Sequence, residues 1–78
     1  MTVTLHSAHG HDYEIKSRQF EDKFEVAIFR DGIKGTITYS VDNETADSYQ
    51  RSFGESASEL LLRTAKEALD NKKVIFAS

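Results

Sequence analysis

One stretch limits what this chain can fold into more than any other, and it runs from Ser56 to Asp70. Ala57, Leu60, Leu61, Thr64, Ala65, Ala68 and Leu69 recur at spacings of three and four, which lays one mostly apolar stripe along a helix. Ser56 followed by Glu59 is a capping box, in which the hydroxyl accepts the Glu59 amide and the carboxylate turns back to a free N–H. Glu55 and Glu59 suit the positive end of the helix dipole, and Lys72 and Lys73 follow its negative end. A helix of this length is marginal alone in water, so its stripe has to be buried. The rest of the chain must supply the cover.

That cover is read from a change of period. Tyr13, Ile15 and Ser17 alternate with Glu14, Lys16 and Arg18, and Phe24, Val26 and Ile28 alternate with Glu25, Ala27 and Phe29. Pairing Gln19 with Phe24 across the Phe20–Lys23 connection brings Ser17 against Val26, Ile15 against Ile28 and Arg18 against Glu25. This register keeps the apolar sets on one face, whereas a slip of one residue would mix the faces. Asp31 to Gly35 is the strongest turn signal, and a four-residue connection, Asp31 through Lys34, would pair Arg30 with Gly35. Ile37 would then face Ile28, Tyr39 would face Val26 and Val41 would face Phe24.

The flanks are less regular. Thr2 to Leu5 is β-compatible, with Val3 and Leu5 on one face, as an edge strand or an arm, and residues 6–12 read as a loop. Ser48 to Phe53 fits either a short helix or a fourth strand, and its Tyr and Phe favour the strand. Val74, Ile75 and Phe76 form an apolar tail that should join the sheet or reach a neighbouring chain. The expected fold is therefore α+β and two-layered, a three- or four-stranded antiparallel meander packed on one long C-terminal helix, in a single domain over residues 1–78.

Composition narrows the function classes. The absence of cysteine removes disulfides and thiolate chemistry, and no apolar run reaches the length of a signal peptide or a membrane span. A cytoplasmic protein without membrane association is expected. The formal charge of -3 is spread without long blocks, which gives no global attraction to phosphate backbones. A domain this small, with only 38% hydrophobic residues, is of the kind that oligomerisation helps.

Three sets of residues carry candidate functions. Phe29, Thr36 and Thr38 lie on the sheet face that one helix leaves uncovered, and with Val74, Ile75 and Phe76 they form the expected interaction surface for a second copy or a protein partner. Lys16, Arg18, Lys34, Arg63 and Lys66 form an alternative nucleic-acid-binding set, though Glu14, Glu25, Glu59, Glu67 and Asp70 interrupt it. His6, His9 and His11, beside Asp12, form a second alternative as metal ligands, since imidazoles suit zinc, nickel and copper. No catalytic residues are assigned, because nucleophile-elbow, phosphate-loop and dinucleotide patterns are all missing. Ser52, Ser56 and Ser58 are explained as loop and capping residues, and no cofactor is expected.

From Gly35 to Leu69, the strand followed by a helix ending Ala65-Lys66-Glu67-Ala68-Leu69 resembles Hic-type antitoxins and, more distantly, double-stranded RNA-binding domains. The sequence departs from the latter where Glu55 and Glu59 replace a basic helix start. What the resemblance implies is a binding surface for another macromolecule. The reading is thus a small intracellular protein-interaction or regulatory domain that self-associates.

Overall fold

Period two carries through into backbone pairing. The computed structural model describes residues 1–76, and four strands, β1 (Thr2–Ala8), β2 (His11–Gln19), β3 (Lys23–Arg30) and β4 (Ile33–Asp42), form an antiparallel sheet in sequence order. Between β2 and β3 the expected register is present, with Ile15 opposite Ile28, Ser17 opposite Val26, Arg18 opposite Glu25 and Gln19 opposite Phe24. Tyr13, Ile15, Val26 and Ile28 are buried on the inner face, and with Ala65 and Leu69 they form the core. Ser17 is the one buried polar side chain among the described residues, and its hydroxyl donates to the Thr2 carbonyl at 3.3 Å.

The helical layer corrects the expected architecture. Two separate helices, α1 (Asn43–Phe53) and α2 (Ala57–Asp70), cover the sheet where one long helix was expected. Ser48 to Phe53 is therefore helical, and the fourth strand comes from the N-terminus. Caps at both ends explain why this segment is not a strand. The Asp42 carboxylate accepts the Thr45 amide at 2.7 Å, Glu44 lies in the first turn, and Gly54 closes the far end in the left-handed region at φ 69°. α1 buries no side chain, so the local chemistry of its ends, rather than an apolar stripe, defines it. Its N-terminus is also tied down, because Gln19 Nε2 donates to Asn43 Oδ1 at 2.9 Å and Asn43 Nδ2 donates to the Glu21 carbonyl at 2.9 Å.

α2 follows its pattern with one exchange, Leu62 packing against the core where Leu60 was expected. Ala57, Ala65, Ala68 and Leu69 are buried, while Leu61 and Leu62 pack beside them. The Ser56 hydroxyl accepts the Glu59 amide at 3.3 Å. At the other end the Lys72 amide donates to Leu69 and the Lys73 amide to Ala68, a Schellman closure with Lys72 at φ 56°. A lysine in that left-handed position costs about 1 kcal/mol that glycine would not.

Two details of the sheet also differ from expectation. β1 runs on through His6, Ser7 and Ala8, so residues 6–12 are mostly strand and the turn is only His9-Gly10. The pairing of His6 with Tyr13 and Ala8 with His11 overrides the weak strand preference of these residues. The β3–β4 connection is the two-residue turn Asp31-Gly32, both with positive φ, which pairs Arg30 with Ile33 instead of Gly35. An irregularity between Ala27 and Phe29 takes up the difference, so Val26 still faces Tyr39 and Phe24 still faces Val41.

Candidate functional site

The sheet has two edges and two faces, and its side chains distribute unequally among them. Thr4 pairs with Ile15 and so points inward with His6 and Ala8, whereas Val3 pairs with Lys16 and points outward with Leu5. Val3 is 47% exposed and Leu5 76% exposed. Among the described residues nothing pairs with the outer edge of β1. Thr2 to Ala8 contains no Lys, Arg, Asp, Glu or Pro, the residues that commonly blunt such an edge.

The β4 edge is occupied at Gly35 and Thr36. Gly35 bridges Phe76, the Thr36 amide donates to the Ile75 carbonyl at 2.9 Å, and the Ile75 amide donates to Thr36 Oγ1 at 3.2 Å. A Cβ on Gly35 would lie 2.5 Å from Val74 Cγ1, so only glycine allows the tail this close. Val74 and Phe76 pack against the core, while Ile75 is exposed. Of the surface expected from the sequence, Thr36 thus accepts from the tail and Thr38 is exposed. Phe29 is half-buried beneath the Lys16 ammonium, 4.3 Å from its ring centroid.

The three histidines do not converge. His6 Nε2 meets Asp70 Oδ1 at 2.8 Å, His9 Nε2 meets the Asp70 carbonyl at 2.7 Å, and His11 sets its ring edge-on to Tyr13. Among the described residues no group of three or more His, Cys, Asp or Glu side chains is placed to hold a metal ion. His6 and His9 instead latch the β1–β2 hairpin to the end of α2. The basic set is divided between layers. Lys16, Arg18 and Lys34 belong to the strands, with Arg18 over the Phe20 ring, while Arg63 and Lys66 belong to α2.

At the α1–α2 junction, Arg63 pairs with Glu55, which also accepts from Tyr49 Oη at 2.9 Å. The Arg63 guanidinium and the Tyr49 hydroxyl hold the Glu55 carboxyl below its ordinary range, and the same carboxylate raises Arg63 and Tyr49. The Thr45 amide does likewise for Asp42, lowering it. These groups staple the two helices, and Glu55 does more here than dress a helix terminus.

A recess that sequence spacing did not indicate opens where α2 stops short of the end of the sheet. It has a volume of about 330 Å³ and is lined by His9, His11, Tyr13, Arg30, Leu69, Lys72, Val74 and Phe76. The Tyr13 and Phe76 rings stack at 5.6 Å, and the Arg30 guanidinium lies 4.9 Å from the Phe76 centroid. Positions far apart in the chain meet here only through the meander and the returning tail.

Among the described residues no helix is long and apolar enough to cross a membrane. Compared with protein-family models, with curated proteins and with solved structures, the chain finds no match.

Proposed function

We propose that this chain is a cytoplasmic interaction module that self-associates through the bare edge of β1. The carrying observation is a seven-residue edge strand without Lys, Arg, Asp or Glu and with Val3 and Leu5 exposed beside it, on a sheet whose other edge is engaged by the tail at Gly35 and Thr36. A second copy fits this edge in a self-complementary way. Antiparallel pairing centred on Thr4 sets Val3 of each copy against Leu5 of the other and Thr4 against Thr4, a favourable cross-strand pair. Centring on Leu5 would leave Val3 facing Ser7, which buries less apolar surface. The two outer faces would then be continuous, with Glu14 and Lys16 of β2 flanking the new seam.

The expected affinity is modest. Each leucine-sized side chain removed from water contributes about 1.5–3 kcal/mol. Association itself costs at least about 4 kcal/mol in lost freedom, so the dimer should form in the micromolar to millimolar range. Sedimentation equilibrium over that range tests the reading, with wild type expected to dimerise and Leu5→Lys to remain monomeric. A wild-type chain that is monomeric at about 1 mM, or a dimer indifferent to Leu5→Lys, removes it.

A further inference from the structure

The recess at the end of α2 has the chemistry of a binding site, quite apart from the β1 edge. Its floor is apolar and aromatic, made by Tyr13, Leu69, Val74 and Phe76, and its rim carries Arg30 and Lys72 with His9 and His11. No carboxylate side chain lines it, and among the described residues neither Arg30 nor Lys72 forms an ion pair. Its volume is at the lower end of small-molecule sites.

A second observation points the same way. His9 and Lys72 both sit in the left-handed backbone region, at φ 54° and 56°. Asparagine or glycine would occupy the first position of the His9-Gly10 turn more cheaply, and glycine would do so at the Schellman position of Lys72. Of the three non-glycine residues with positive φ among the described residues, these two line the recess, and the third, Asp31, sits in the β3–β4 turn. Strained backbone conformations cluster at ligand-binding and active sites.

We infer that this recess binds a small organic anion, its planar apolar body against Tyr13 and Phe76 and its oxyanion held by Arg30 and Lys72. The guanidinium supplies a planar fork for two oxygens, and the ammonium a mobile point charge. His9 and His11 offer further ring nitrogens at the mouth, the His9 Nε2 position being engaged with the Asp70 carbonyl.

The full chain is titrated by NMR with phenyl phosphate, benzoate, inorganic phosphate and benzyl alcohol, following the Tyr13 and Phe76 resonances. Phenyl phosphate or benzoate should saturate with a Kd tighter than about 1 mM. Inorganic phosphate, lacking the ring, and benzyl alcohol, lacking the charge, should each bind at least about tenfold more weakly. Whichever aromatic anion binds better identifies the oxyanion. Arg30→Gln should weaken binding about tenfold. Because it also touches Phe76, Lys72→Gly serves as the second variant: it should raise the melting temperature while weakening binding about tenfold. The inference is overturned by absence of saturation with both aromatic anions, by benzyl alcohol or inorganic phosphate binding equally well, or by undiminished affinity in Lys72→Gly.

Discussion

The two edges of this sheet face the same physical problem and meet it differently. Along β4 the Thr36 amide donates to the Ile75 carbonyl and the Thr36 hydroxyl accepts the Ile75 amide, with Gly35 cleared of a side chain so that Val74 and Phe76 can close over it. Along β1 the backbone groups stay open, and Val3 and Leu5 stand beside them. An edge closed within the chain contributes to the fold, whereas an edge left bare contributes nothing until something else pairs with it. Substitutions should therefore have opposite signatures on the two sides, one in stability and the other in association.

The largest change is expected at the closed edge. Gly35→Val places a branched side chain where Val74 Cγ1 already stands and should destabilise the monomer by about 1–3 kcal/mol in urea denaturation. Hydrogen exchange would show the Thr36 amide released, and an unaltered denaturation midpoint would mean the tail does not close the edge. Thr36→Val removes the acceptor of the Ile75 amide and should cost about 1 kcal/mol.

Acid should loosen the helical layer that follows β4. The folded chain holds Glu55 and Asp42 below the ordinary carboxylate range, so their contribution to stability is complete above that range. It is lost as pH falls through their lowered folded values. Asp42 is exposed and Glu55 only half-buried, so the loss is small. Amide exchange in α1, which Asp42 caps and Glu55 ties to α2, should accelerate as these two groups take up protons. Unchanged exchange in α1 on acidification would place the acid-sensitive contacts elsewhere.

The smallest stability effect belongs to the bare edge. Leu5→Lys should leave the monomer within about 0.5 kcal/mol of wild type, as is usual for an exposed position. A larger loss in a dilute sample would mean that Leu5 supports the monomer fold itself.

How much of this was legible in the sequence depended on whether the determinant was local. β2 and β3 announce themselves because one face is buried and the other solvated, so Ile15 and Ile28 can share a face in only one register. α2 is legible for the same reason at helical period. α1 was misread because Tyr49 and Phe53 fit a strand as well as a helix, and the deciding signal lay at the ends, in Asp42 and Gly54. The length of β1 was hidden because His6 and Ser7 become strand only by pairing with Tyr13 and Asp12. The turn after β3 was read too long because Asp31-Gly32 sufficed, and the surplus was absorbed within the strands.

The sites follow the same division. Phe29 and Thr38 could be placed on a sheet face by alternation alone. The exposure of Val3 and Leu5 could not, because it depends on which face of β1 turns inward. Arg30 and Lys72 meet across the recess only once β3 has been paired and α2 has ended. No spacing rule connects residues brought together by chain reversal.

Strand order that follows chain order also sets how this molecule reaches its native state. Every sheet pairing joins neighbours along the chain, so each requires closing only a short loop. With no proline anywhere in the sequence, prolyl isomerisation cannot hold back any fraction of molecules. The long-range contacts are those of α2 and the tail with the strands, such as His6 with Asp70 and Gly35 with Phe76. Refolding should accordingly be rapid and free of a slow prolyl-dependent phase.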